Sequence, residues 1–284
     1  MGAAGGVKLY DTIDEMKNLL SIAGYDPSGG GGVLLDIKVF ESLGFHGFGV
    51  LTAVTAQNPD RVDRVYSLAA RAVSNQFGRL AESAVFAGIK VGMIGTADNL
   101  AAVARILARS AGIPRVIDPV FRSSSGATLL QRRAWPRYLA MLGGKADLIT
   151  PNLAEAEVLA GHSVRSVSEM RRAAAFITRT SRIPCLLKGG HLKGKAVDVL
   201  FDGREFTTYG HARSVKDVHG TGCFLSSAIL GYLAKGHPLE EACRRGIAQA
   251  GRAIRAAVPA ADGRWVFGLT RKGGRESSTG RGWR

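Results

Sequence analysis

The sequence predicts a single α/β domain built on a mostly parallel sheet with helices on both faces. Three observations lead there. Short apolar runs rich in β-branched residues alternate with stretches of helical period along most of the chain. No internal repeat and no linker-like segment divides the 284 residues, a length that suits one large α/β unit. Glycine is abundant, 37 residues against a usual share of about 7%, and many of these glycines stand where an apolar run ends. Loops that carry bare backbone up to a ligand need that composition.

The elements follow in order. Strands are predicted over 20–23, 50–54, 89–93, 116–117, 148–150, 185–188 and 197–201, each a short apolar run such as Val197-Asp198-Val199-Leu200-Phe201. A helix over 33–43 follows a glycine run, and alanine-rich helices are expected over 67–84 and 99–110. Ser166 and Glu169 form a capping-box signature that opens a helix reaching about Arg179. Helices over 222–235 and 239–257 close the pattern. Residues 1–18 read as an N-terminal extension, 19–268 as the folded domain, and 269–284 as a basic tail of disordered composition.

Composition narrows the classes of function. No apolar run reaches 18 residues, so no membrane helix is expected. The first 18 residues carry Asp11, Asp14 and Glu15 and no apolar segment of a secretory signal, so a cytoplasmic location is expected. Cys185, Cys223 and Cys243 are odd in number and widely spaced, and make neither a disulfide framework nor a metal knuckle. Net charge is +15, and ten basic against two acidic residues lie between Arg244 and Arg284. A solvated helix and tail accounts for that run. A nucleic-acid surface is not expected, because few aromatic residues, Trp265 and Trp283 among them, interleave with the basic residues.

The strongest local motif is Asp217-Val218-His219-Gly220-Thr221-Gly222-Cys223, a glycine turn leading straight into an apolar helix. Free N–H groups in the first turn of such a helix face an anion, which makes a phosphate cradle without a lysine. A plain glycine turn before a core helix is the alternative reading. A Gly-x-x-x-x-Gly-Lys-Ser/Thr loop is absent, since Lys145 and Lys195 precede alanine, and Leu35 stands where a dinucleotide fingerprint needs its third glycine. Ala23 to Gly32 forms a long turn ending in four glycines, suited to a ligand approach or a hinge. Gln57, after the second strand, offers a donor and an acceptor side by side, which matches the edge of an aminopyrimidine. Asn152 and Glu155 are spaced to hold a water-bound Mg²⁺, or simply to cap a helix. Lys188, beside Gly189 and Gly190, can set a point charge on a phosphate.

Nine segments in this order resemble the hydroxymethylpyrimidine and phosphomethylpyrimidine kinases of thiamine biosynthesis, within the ribokinase-like superfamily. They are Ile22-Ala23-Gly24 with Asp26-Pro27-Ser28-Gly29-Gly30, Asp36 with Lys38, Thr52-Ala53 with Thr55-Ala56-Gln57-Asn58, Lys90-Val91-Gly92-Met93, Ile117-Asp118-Pro119-Val120, Ser125-Gly126, Ile149 to Ala156, Lys188-Gly189-Gly190-His191, and His219 to Cys223. The resemblance runs from about Leu20 to about Gly246. It implies a three-layer α/β/α sandwich, a homodimer, and transfer of the γ-phosphoryl group of ATP, with Mg²⁺, to the pyrimidine hydroxymethyl or its monophosphate. It implies a substrate pocket of Gly24, Asp36, Gln57, Met93 and Val120. Asn152, Glu155, Lys188 and Gly222 fall on the nucleotide side, with Glu155 and Asp118 toward the metal through water. Gly220, Thr221, Gly222 and Lys188 join Cys223 as catalytic candidates. A thiol at a helix N-terminus tends toward thiolate, which makes Cys223 a candidate base.

The sequence departs from the resembled pattern at three places. Tyr25 stands where a small Ser or Thr is usual, Phe121-Arg122 replaces an apolar pair led by Met, and a late Gly-x-Gly-Pro segment is missing. A pyridoxal or pyridoxine kinase is the alternative on the same scaffold, since both substrates are ring hydroxymethyl alcohols. A pyrimidine sensor without catalysis is a third reading, and retention of the phosphate-side residues speaks against it.

Overall fold

A computed structural model describes residues 16–58, 60–190, 192, 196–213, 216–260 and 263–269. Most of the expected extension, His191 and nearly all of the expected tail lie outside the described residues.

Nine strands form one sheet. In chain order they are β1 (Asn18–Tyr25), β2 (His46–Gln57), β3 (Val62–Ser67), β4 (Phe86–Val91), β5 (Arg115–Ile117), β6 (Leu148–Ile149), β7 (Cys185–Gly189), β8 (Ala196–Phe201) and β9 (Phe206–His211). Their order across the sheet is β3-β2-β1-β4-β5-β6-β7-β8-β9. The six strands from β2 to β7 in that order are parallel, and antiparallel strands close both sides. The helices are α1 (Gly32–Ser42), α2 (Ala70–Ala81), α3 (Ala97–Arg109), α4 (Tyr138–Leu142), α5 (Leu153–Ala160), α6 (Val167–Ser181), α7 (Thr221–Ala234) and α8 (Leu239–Arg255). A 3-10 turn, Arg132–Arg137, leads into α4, and a small ribbon pairs β10 (Val258–Pro259) with β11 (Trp265–Val266).

Period-two alternation makes the three layers. Leu19, Val116, Leu148, Leu186 and Leu200 point into a core shared with α1, α7 and α8. Their neighbours Leu20, Ile117, Ile149, Leu187 and Val199 point into the opposite core, shared with α2 through α6. A strand buried on both sides reads as a continuous apolar run, which is why the central strands stood out in the sequence. Each such side chain withdrawn from water contributes about 1.5–3 kcal/mol.

All seven expected strands form. Besides the small β10-β11 ribbon, two strands of the sheet went unread because they lie on its outside. In β3, Val62-Asp63-Arg64-Val65-Tyr66-Ser67 has no fully buried residue, and β9 alternates exposed with half-buried positions. The helix expected over 67–84 begins only at Ala70, because Ser67 is taken up by pairing with Ala53 in β2. Among the described residues no helix is long and apolar enough to cross a membrane.

The topology fixes where a site belongs. The chain runs from β1 to β2 on one side and then returns to place β4 on the other, so Ile22 pairs with Val50 and with Val91. A crevice opens beyond the carboxyl ends of parallel strands at such a reversal.

Candidate active site

A cleft of about 390 Å³ lies there, lined from the ends of β1, β2, β4, β5, β6 and β7 and from the start of α7. Of the residues expected from the sequence, Gly24, Gln57, Met93, Asp118, Val120, Asn152, Glu155, Lys188 and Gly220 to Cys223 all line it.

One end is apolar. Met93 and Leu129 pack with Ala53, Val62 and Val120 in a small cluster of their own, and Gln57 lies beside them on the cleft wall. The Thr52 hydroxyl donates to the Met93 carbonyl at 2.6 Å, and the Thr55 hydroxyl donates to the Tyr25 carbonyl at 2.9 Å. These bonds tie the three strand ends together. A methyl group on Gly24 would come within 2.7 Å of the Met93 sulfur, so glycine at that position sets the width of this end.

The other end is polar. Lys188 Nζ donates to Asp118 Oδ1 at 2.7 Å, and the Thr150 hydroxyl donates to the same oxygen at 3.1 Å. Burial opposes the charge on Asp118, but Lys188 and Lys90 outweigh it and hold the carboxyl below the usual range. Asn152 caps α5 through a full capping box: its side chain accepts from the Glu155 N–H at 2.9 Å, and Glu155 accepts from the Asn152 N–H at 2.8 Å. The helix-cap reading of this pair is therefore correct, and the pair also faces the cleft. Burial pushes the Glu155 carboxyl up to about 8, with Asp118 adding to the rise and Lys188 and the Asn152 N–H opposing it.

The two glycine loops meet. Gly220 caps α7 with φ +83°, and a Cβ there would stand 1.9 Å from the Gly30 carbonyl oxygen. Gly32, at φ +58°, would bring a Cβ to 2.2 Å from the Gly24 carbonyl. Glycine is thus required at 32 for packing against the β1 backbone and at 220 for packing against the backbone at Gly30. His219 and Asp26 join the same loops at 3.2 Å. No acidic residue occupies the first turn of α7, so its N–H groups keep their positive end toward the cleft. Lys188 Nζ lies 3.1 Å from where a Cβ on Gly222 would be, so the lysine abuts that helix start.

Two expectations change. Asp36 does not line the cleft. It is fully buried beneath the floor, where both its oxygens accept from Lys90 at 2.8–2.9 Å and from Ser21 and Ser227 at 2.6 and 2.8 Å. Cys223 does line the cleft, but its thiol is not poised as a thiolate. Burial pushes it up to about 11, Asp36 and Asp118 reinforce that, and Lys90 and the Gly32 N–H only partly oppose it.

Lys90 was missed as a site-forming residue, although a lysine between Ile89 and Val91 in a buried strand was the signal: such a charge needs a partner. Among the described residues no group of three or more His, Cys, Asp or Glu is set to hold a metal. Mg²⁺ keeps most of its waters and takes one or two carboxylates plus phosphate oxygens, and the adjoining Asp118 and Glu155 carboxyls fit that donor set. The raised Glu155 is a carboxyl short of positive charge.

Comparison with known proteins agrees with this architecture. Residues 26–266 match the family described as phosphomethylpyrimidine kinase. A hydroxymethylpyrimidine/phosphomethylpyrimidine kinase of Rhizobium meliloti (strain 1021) is 41% identical over 246 residues, 86% of this chain and 91% of that protein. The crystal structure of the phosphomethylpyrimidine kinase of Clostridium difficile 630 superposes with a TM-score of 0.74 at 34% identity, covering 84% of this chain and 99% of that one. An ADP complex of Bacillus subtilis pyridoxal kinase gives a TM-score of 0.79 at 28% identity, over 89% of this chain and 96% of that one.

Proposed function

The chain belongs to the phosphomethylpyrimidine kinase family, and on that premise we propose how its cleft divides the work of the reaction. The protein is a kinase of thiamine biosynthesis, transferring the γ-phosphoryl group of ATP to hydroxymethylpyrimidine, to its monophosphate, or to both. The observation that carries the reading is a single cleft with an apolar end beside a carboxamide and a second end built from a helix start and a lysine–carboxylate wall.

In this reading Met93 and Val120 pack the faces of the pyrimidine, Gln57 pairs with its edge, and Gly24 leaves room for the ring. Lys188 and Asn152 position the nucleotide phosphates, and the N–H groups from Gly220 to Cys223 face the transferring phosphoryl group. Asp118 and Glu155 would hold Mg²⁺, chiefly through water, and the ion supplies neutralisation of phosphate charge. The transition state of such a transfer is loose, so positioning and charge do most of the work and a strong base is not required. Cys223 is then a contact at the acceptor hydroxyl, with its proton in place. ADP in the B. subtilis relative and AMP-PCP in a Staphylococcus aureus pyridoxal kinase support ATP as the donor.

A coupled ADP-release assay with hydroxymethylpyrimidine, its monophosphate and pyridoxal tests the reading. Turnover of either pyrimidine is expected. Turnover of pyridoxal alone would move the chain to the second reading, which the higher superposition with pyridoxal kinases favours. The three cysteines are free thiols, in keeping with a cytoplasmic location. A homodimer is the assembly proposed, with the outer β3 strand and its exposed Tyr66 as the surface offered; light scattering tests it.

A further inference from the structure

We propose that Arg122 is the residue that recognises the phosphate of the phosphorylated pyrimidine, and so sets the preference of this chain between alcohol and monophosphate. The inference rests on the functional reading above and concerns which of its two acceptors the cleft is built to favour.

Four cationic or potentially cationic side chains line the cleft: Lys90, Arg122, Lys188 and His219. Three are already matched with carboxylates, Lys90 with Asp36 at 2.8 Å, Lys188 with Asp118 at 2.7 Å and His219 with Asp26 at 3.2 Å. Among the described residues, no carboxylate lies within ion-pair distance of Arg122. Unlike the other three, its charge is therefore not matched by a carboxylate.

Arg122 is exposed, and its guanidinium rests against an aromatic ring that Arg132 also approaches, at 5.8 Å. The Arg122 guanidinium lies 5.5 Å from the centre of this Trp135 ring, which stacks on buried Phe121 at 5.4 Å and 14°. The Trp135 indole N–H donates to the Leu130 carbonyl at 3.0 Å, which fixes the ring. An arginine lying over an aromatic face keeps its N–H fork for a bidentate anion contact.

The position decides between two sources of phosphate. Arg122 stands two residues beyond Val120, on the same loop as Ser123 and Ser125, whose hydroxyls are 2.9 Å apart and line the cleft. That loop follows β5 and borders the apolar end, whereas the nucleotide wall comes from the residues after β6, from β7 and from α7. The substrate monoester is therefore the partner assigned, rather than the nucleotide polyphosphate. The alcohol is neutral and the monoester carries close to two negative charges at neutral pH, so one placed cation discriminates between them.

The test is the ratio of kcat/KM for the monophosphate to that for the alcohol, measured in the wild type, Arg122→Met and Arg122→Lys. Arg122→Met is expected to lower the ratio about tenfold or more, the usual weight of a charge-assisted contact. Arg122→Lys should restore part of it, because a point charge replaces a fork. An unmoved ratio in a wild-type protein that uses both pyrimidines overturns this inference alone. A tenfold rise in KM for ATP with the alcohol as acceptor, at an unmoved ratio, assigns Arg122 to the nucleotide and also overturns it. A wild type that phosphorylates neither pyrimidine overturns the functional reading, and the inference with it.

Discussion

Two buried lysine–aspartate pairs stand within the same region of the fold and do different things. Lys90 and Asp36 meet at 2.8 Å with both side chains fully buried. Lys188 and Asp118 meet at 2.7 Å, but the lysine is 13% exposed and the pair opens on the cleft. In the first pair, the Asp36 oxygens accept from Lys90, Ser21 and Ser227, so β1, α1, β4 and α7 are pinned at one point under the cleft floor. In the second, Asp118 Oδ1 takes Lys188 and Thr150, while Glu155 nearby is pushed up to about 8. A pair whose donors are complete inside the protein holds elements together. A pair that borders an anion-facing helix start and a charge-starved carboxyl is arranged for a ligand.

The largest effects test that division. Lys90→Met leaves Asp36 charged and unpaired in the core, and should cost about 3–5 kcal/mol of stability in urea denaturation. Lys90→Met with Asp36→Leu should recover part of the loss, because no buried charge remains. Lys188→Ala should cost under about 2 kcal/mol of stability, since truncating the partly exposed lysine opens Asp118 to cleft water, while kcat falls about 100-fold. A Lys90→Met protein of wild-type stability, or a Lys188→Ala protein that fails to fold, would reverse the roles given to the two pairs.

A smaller effect sharpens the second pair. The Glu155 carboxyl ionises at about 8 in the folded ligand-free protein, against an ordinary value of 4.5 in the unfolded chain. Between those values the unfolded chain has released a proton that the folded protein keeps. Stability contributed by this group is therefore full below about 4.5, declines as pH rises to about 8, and is level above that. Glu155→Gln should remove this decline, seen as a smaller difference in urea midpoint between pH 5 and pH 8 than in the wild type. An equal difference in both proteins would place the Glu155 carboxyl in an ordinary environment.

Much of this contrast was legible from the sequence, and the reasons differ by residue. The central strands were readable because burial on both faces leaves continuous apolar runs. The edge strands β3 and β9 were not, because one-sided burial in a short polar segment resembles a loop. Lys188, Asn152 and Glu155 were found because each stands at or just past the end of a strand's apolar run, the Gly220 loop because its glycines lead into an apolar helix, and the chain topology brings these to one crevice. Asp36 was placed with them from resemblance, but a helix residue pointing inward meets the core first. Whether a carboxylate reaches the cleft or stops at Lys90 depends on three-dimensional depth, which spacing does not encode. The four glycines of 29–32 read as a ligand approach or a hinge; Gly31 and Gly32 do line the cleft, while Gly32 also packs on the Gly24 backbone and Gly30 takes the close approach of Gly220, 190 residues along the chain.

Cys223 is the smallest and most discriminating test, because charges from the two pairs pull on it in opposite directions. Lys90 favours its thiolate, while Asp36, Asp118 and burial disfavour it, and the balance leaves the thiol at about 11. At pH 7 about one molecule in ten thousand would carry the thiolate. A base so rarely ionised would make log kcat climb one unit per pH unit from neutrality upward, until another group or another step takes over. With Cys223 as a protonated contact, kcat should stay level from pH 7 to pH 9, and Cys223→Ala should lose less than about tenfold, the scale of one uncharged hydrogen bond. A steep rise in the wild type that disappears in Cys223→Ala would restore the thiolate base. It would also show that bound substrate tips the balance toward Lys90, making the sealed pair a participant in the chemistry above it.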